Sequence, residues 1–259
     1  RQLAIKSHDL AIHVQAKAHN SEATVDGGEL RPLTVEEQAT VLKTMQKSSR
    51  EYQLMFYFAL FTGARLQTIC TLRIKYLVEH QPDSNGFIRL PIGAGTGIDT
   101  KFQKPMTLLV PNWLVQDIKI YINSEQARQR RLKSNYGDSD KNYVFLTKFG
   151  TPFYTSKAEQ QELTEKIKAS ELFTEKLKLY EGEAVRSYLK IVLLPAIRLS
   201  DTQFQSFKFH DLRASFGMNL LESQLQHLPE GHSALTAVEY VQARMGHSNI
   251  NTTLQYLDY

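Results

Sequence analysis

The chain has 259 residues, 42% hydrophobic and 10% aromatic, which is enough to bury a sizeable core and reads as globular, not disordered. No run of eighteen or more apolar residues occurs, so no membrane-spanning helix is expected. The 31 Lys and Arg exceed the 27 Asp and Glu to leave a net charge of +4, a mild bias that suits nucleic acid without demanding it. The single cysteine, Cys70, cannot form an internal disulfide; between Ile69 and Thr71 it reads as a small buried residue, and an intracellular location fits.

Residues 1–28 are polar and end in Asp26, Gly27 and Gly28, so they read as a linker or the remnant of a preceding domain, with the globular domain running from 29 to 259. The start at Arg1, without a signal-like segment, reads as a trimmed end. Thr34 and Glu37 form a capping box with Leu33 as a hydrophobic staple, predicting a helix from near Val35 that buries Ala39, Leu42 and Met45. A second helix follows from about Glu51, and because Leu54 to Phe61 is apolar all round it belongs in the domain centre. It runs into Thr62, Gly63, Ala64 and Arg65, where small residues let the backbone turn tightly and aim Arg65 inward. By itself this is an ordinary loop arginine.

Residues 74–80, 87–92 and 106–110 read as short strands, with Asn85 and Gly86 as a hairpin turn. The GAGTG run at 93–97 looks like a phosphate loop, but it precedes a strand and lacks the helix N-terminus that makes such a loop an anion site. Asn112 can cap a helix through Trp113, Ile118 and Ile122 that continues into the basic cluster Arg128, Arg130, Arg131 and Lys133, taken alone a solvated helix end. Residues 155–182 are charged and helix-prone, as in an inserted helix pair, and Val185 to Ile197 is helical up to Pro195.

His210 and Arg213, three apart, share one face of a helix turn, and an imidazole beside a guanidinium suits a phosphate. Gly246 and His247 are followed nine residues later by Tyr256, across the polar run Ser248 to Thr253, which has turn and helix-cap chemistry. Neither pattern alone says much. His227 and His232 flank a turn at Pro229 and Gly231, and the histidine spacings match no ligand motif, so no metal and no other cofactor is expected.

Taken together, HDLR at 210–213 and MGHSNINTTLQY at 245–256 strongly resemble the C-terminal signature of the tyrosine recombinases, the phage integrase family. The resemblance covers roughly residues 30–259 and weakens between 155 and 182. It implies an α+β, mainly α fold: a tyrosine-recombinase catalytic core with a small antiparallel β-sheet. TGARLQTICTL at 62–72 stands where the family has its first catalytic arginine, which falls on Arg65. DTKFQKPMTLLVP at 99–111 resembles the family's lysine hairpin, with Lys101 favoured over Lys104, and VFLTKFGTPF at 144–153 matches the loop before the next helix. The family usually has an acidic residue three after the first arginine, and this chain has Thr68. The separate DNA-clamping domain that normally comes first in the family is expected to be missing here.

The activity implied is site-specific recombination of double-stranded DNA within a tetrameric synapse, away from membranes, in the cytoplasm on nucleoid DNA. Tyr256 would be the nucleophile, Arg65 and Arg213 the phosphate clamp, His210 and His247 the proton-handling groups and Lys101 the leaving-group acid. In that setting the cluster Arg128, Arg130, Arg131 and Lys133 becomes a candidate phosphate-contact surface. Alternatives are a topoisomerase-like enzyme that swivels strands, a DNA-binding module weakened in catalysis by Thr68, and a metal-dependent hydrolase built on the histidines.

Overall fold

The computed structural model describes residues 30–169, 178–228, 231 and 233–254; the expected linker at 1–28 and both Tyr256 and Tyr259 lie outside them. Helix α1 (Val35–Met45) opens as its capping box predicts, the Thr34 hydroxyl accepting from the Glu37 N–H and the Glu37 carboxylate accepting from the Thr34 N–H. Its buried face is Gln38, Val41 and Met45, with Leu42 packed alongside, and Ala39 is exposed; the expected stripe is thus turned by about one position. Gln38 is buried because its amide is bonded on both sides, to Leu33 O at 2.8 Å and to Asn219.

Helix α2 (Arg50–Thr62) is the central element: Leu54, Met55, Phe56, Phe58, Ala59 and Leu60 are all buried. Each large side chain there contributes about 1.5–3 kcal/mol of burial free energy. After α3 (Leu66–Cys70), residues 74–79 form helix α4 (Ile74–Glu79) and not the expected strand. Its first N–H groups find acceptors in a distant loop, Ile74 on Asn142 O and Lys75 on Asp140 O, so tertiary contacts override a β-branched sequence. The turn at Asn85 and Gly86 forms but closes only a short bridge between Pro82 and Ile88. Strands β1 (Phe87–Ile92) and β2 (Met106–Pro111) pair antiparallel, Phe87 opposite Pro111 and Ile92 opposite Met106, with Ile88, Leu90, Ile92, Leu108 and Val110 turned to the core.

Helix α5 (Asn112–Ile122) does not continue into the basic cluster. It stops at Asn123, and Ser124 caps a separate helix α6 (Glu125–Leu132) by accepting from the Ala127 N–H. Beyond the loop at 144–153, helix α7 (Lys157–Ala169) occupies the first part of the charged segment, and residues 170–177 lie outside the described residues. It is anchored by buried Arg73, whose guanidinium lies 3.7 Å from the Tyr143 ring centroid and donates to Ser156 Oγ at 2.7 Å, while the Tyr143 hydroxyl donates to buried Glu159. Burial pushes the Tyr143 phenol up.

Pro195 does not end the next helix. After α8 (Glu183–Tyr188) the ladder widens into a π turn at Leu189–Leu193, and the Leu194 N–H reaches back to Leu189 O, which accommodates the missing proline N–H and lets α9 (Leu194–Arg198) continue. Helices α10 (Asp211–Gln226), α11 (Ala234–Met245) and α12 (Ile250–Leu254) close the described chain. One face of α10 packs on α2, with Phe209 edge-on to Phe56 at 4.9 Å. The other face joins α11 in a smaller apolar cluster of Ala214, Phe216, Leu221, Val238, Val241 and Met245.

Candidate active site

Helix α2 ends in a left-handed turn at Gly63 (φ 67°), whose N–H bonds to Ala59 O at 2.9 Å. A Cβ at Gly63 would lie 2.4 Å from the Phe216 ring, so only glycine lets α10 come this close. That approach seats Arg213, which is 5% exposed, against the ends of two helices. Its guanidinium donates to Gly63 O just past α2 and, at 2.6 Å, to Met245 O at the end of α11. Carbonyls at helix C-termini lack intrahelical donors and carry partial negative charge, so a buried cation is well placed there. Arg65 follows two residues after Gly63 as the extended, half-buried N-cap of α3.

The start of α10 is fixed by Asp211, whose carboxylate accepts from the Lys208 N–H at 2.7 Å and the Arg31 N–H at 3.2 Å. This sets half-buried His210 at the N-cap and Arg213 on the first turn, as the three-residue spacing predicts. At the far end of α11, Gly246 takes a left-handed conformation (φ 66°) and the His247 N–H reaches back to Gln242 O at 3.1 Å. That closing turn is what glycine allows, and it throws His247 out of the helix. The ring is then held by Thr253 of α12, Nδ1 to Oγ1 at 2.9 Å.

The loop between β1 and β2 carries both candidate lysines. Lys104 Nζ lies 3.4 Å from Gly246 O, beside His247, and Lys101 Nζ lies 5.5 Å from the Phe102 ring centroid. The loop is braced by Asp99, a residue sequence reasoning passed over. Thr68 donates through its hydroxyl to Asp99 O at 2.8 Å, while the buried Asp99 carboxylate accepts from Gln67, Gln103 and the Lys157 N–H at 3.2, 3.0 and 2.9 Å. A carboxylate therefore does stand beside α3, delivered from the hairpin and not from position 68. No sequence signal pointed to it, because an Asp between Ile98 and Thr100 has no periodicity of its own.

The expectation that the whole basic cluster faces DNA is corrected. Arg130 and Arg131 are buried, Arg130 paired with Glu51 at 2.8 Å and donating to Leu146 O, Arg131 paired with Asp138 at 2.7 Å and donating to Ile122 O. On the short helix α6 these two positions face inward, and an arginine buried there must be neutralised by the nearest carboxylate. Arg128 and Lys133 are exposed. The Asp138 carboxyl is held below its ordinary range first by its hydrogen bond with Arg131. Among the described residues no three His, Cys, Asp or Glu side chains group as metal ligands.

A mainly helical domain with a two-stranded antiparallel sheet, whose helix ends and hairpin gather arginine, histidine and lysine, has the fold of the tyrosine recombinase catalytic domain. The sequence model of the Phage integrase family matches residues 31–259, and the chain belongs to that family. Its structure is similar to that of the XerH site-specific recombinase bound to difH substrate in a pre-cleavage complex, with a TM-score of 0.53 and 18% identity over 93% of this chain and 53% of that one. It is also similar to the XerA recombinase, with a TM-score of 0.51 and 16% identity over 88% of this chain and 60% of that one. The Tn1549 transposon integrase in complex with transposon right end DNA gives a TM-score of 0.50 and 18% identity over 90% and 63%. The chain thus spans between about half and two thirds of these proteins. No curated protein sequence matches it.

Proposed function

We propose that this chain is the catalytic domain of a site-specific DNA recombinase that cleaves and rejoins double-stranded DNA through a 3′-phosphotyrosine intermediate. The observation that carries the reading is the seat of Arg213. One guanidinium ties the turn before Arg65 to the turn before His247, and this link between motifs far apart in sequence supports a shared site.

In this reading the Tyr256 hydroxyl attacks the scissile phosphorus in line, a P–O bond forms to the phenol and the 5′-oxygen departs. The bond energy stays in the covalent link and is available for rejoining. Arg65 and Arg213 bind the non-bridging oxygens and stabilise the charge that develops on them. His210 takes the phenolic proton, which ordinarily leaves only near pH 10, His247 donates to the phosphate, and Lys101 protonates the departing oxygen. Strand exchange between two duplexes calls for a synapse of four copies. Thr68 favours a weakened DNA-binding module as a second reading. The Asp99 carboxylate bonded beside α3 supports the active one, because it supplies a brace where the family's acidic residue is absent.

The test is covalent capture on a nicked suicide duplex. Wild type is expected to form an adduct that maps to Tyr256, and Tyr256→Phe none, with an unchanged circular dichroism spectrum and DNA affinity, since one oxygen is removed. An adduct that survives Tyr256→Phe, or that maps to Tyr259, overturns the assignment.

A further inference from the structure

Between the two lysines, the hairpin displays a ring that packing does not explain. Phe102 is 86% exposed. Its backbone is left-handed (φ 59°, ψ 22°), as is that of Gln103 (φ 55°), and these are the only non-glycine residues with positive φ among the described residues. A bulky side chain avoids that region unless its surroundings hold it there. Here they do. The Thr100 hydroxyl donates to Lys104 O at 2.7 Å, the Gln103 N–H to Thr100 O at 3.0 Å and the Gln103 amide to Asp99 Oδ1 at 3.0 Å, while Gln103 O accepts from the Ala94 N–H at 3.1 Å. The turn is clamped from beneath, so the exposed ring is a built feature and not a slack loop tip.

The ring's setting selects its partner. Lys101 Nζ lies 5.5 Å from the ring centroid, and Lys104, two residues further along the same turn, reaches Gly246 O next to His247. The tip itself, residues 101–104, carries no carboxylate, and Asp99 lies buried below it. An exposed ring on a turn that carries two lysines fits a polyanion that also offers a flat apolar face, which is what a base step between two phosphates presents. Apolar wedges inserted from the minor groove unstack such steps, and aromatic rings stack on any base regardless of sequence.

We propose that Phe102 is a DNA wedge that stacks into the base step beside the scissile phosphate, while the flanking lysines engage the backbone. This rests on the recombinase reading and adds a residue that opens the duplex at the site of cleavage. The probe is a short duplex recovered by wild-type covalent capture from a nicked library of random sequence, with 2-aminopurine placed in turn at each position flanking the cleaved bond. Wild type is expected to brighten the base next to that bond several-fold. Phe102→Ala and Phe102→Gly should not brighten it and should cleave roughly tenfold more slowly, in keeping with the stacking lost per base. Phe102→Trp should retain both, and a mismatch at the step, which is already unstacked, should restore the alanine variant's rate. Glycine takes the positive φ without strain, and an unchanged circular dichroism spectrum for Phe102→Gly together with retained function in Phe102→Trp separates loss of the ring from loss of the fold. Brightening and cleavage by Phe102→Gly at wild-type level overturn the wedge and leave the ring to an acidic protein partner. Failure of wild type to form any adduct overturns the recombinase reading itself.

Discussion

Lys101 and Lys104 sit three residues apart on one turn, yet the structure holds them differently. Lys104 extends to Gly246 O, a contact that ties the hairpin to the end of α11, whereas Lys101 lies over the Phe102 ring at the tip. In the proposed reaction Lys101 keeps the leaving-group role, and Lys104 is given a clamping one. A general acid contributes roughly 10²- to 10⁴-fold to departure of an alkoxide and little to departure of a thiolate, whose conjugate acid is far stronger. Lys101→Ala is expected to cleave ordinary DNA that much more slowly and to recover on DNA with sulfur at the bridging 5′ position, while Lys104→Ala is mildly impaired on both. Rescue of Lys104→Ala instead would exchange the two roles. Reading the residues failed where one residue type serves two ends. Arg130 and Arg131 were indistinguishable in sequence from phosphate contacts, and only Glu51 and Asp138 opposite them show that they are structural.

At the scale of elements, the hairpin owes its shape to Asp99. Its carboxylate accepts from α3 through Gln67, from the loop through Gln103 and from the start of α7 through the Lys157 N–H, so it links the Arg65 turn, the lysine loop and the charged segment. Asp99→Asn keeps the volume but sets an amide donor among donors, and each buried bond left unmade costs about 1–3 kcal/mol. The variant should stay folded and bind DNA with near wild-type affinity while its single-turnover cleavage rate falls more than about tenfold, because the loop holding Lys101 is no longer fixed. Equal losses in affinity and rate would mean that Asp99 merely supports the fold. Helix α4 and the break between α5 and α6 follow the same logic. Ile74 to Glu79 reads as a short strand, but its first two N–H groups are satisfied by Asn142 O and Asp140 O, far along the chain, and Ser124 ends one helix and caps the next.

The described residues pack into two apolar clusters of unequal size, a main core around α2 and a smaller one between α10 and α11, against which Ile250 and Leu254 of α12 are only partly buried. Opening the smaller cluster exposes less apolar surface, so it should open without the larger. Native-state hydrogen exchange is expected to show α2 amides exchanging only on global unfolding and α12 amides exchanging at least roughly 30-fold faster. Equal protection would make the domain a single cooperative unit. This division also marks how far the sequence could be read. The resemblance carried by the HDLR and MGHSNINTTLQY motifs implied a mainly helical core, a small sheet and the order of the candidate groups, and the all-apolar run placed α2 at the centre, because motifs and helix patterns depend on residue type and on neighbours close in sequence. The seat of Arg213 on Gly63 O and Met245 O, the delivery of Asp99 to α3, the inward turn of Arg130 and Arg131 and the outward display of Phe102 were decided by the tertiary structure alone. In each case the deciding partner, whether a helix-end carbonyl, a carboxylate or a backbone clamp, is supplied by the path of the folded chain and leaves no local pattern in the sequence.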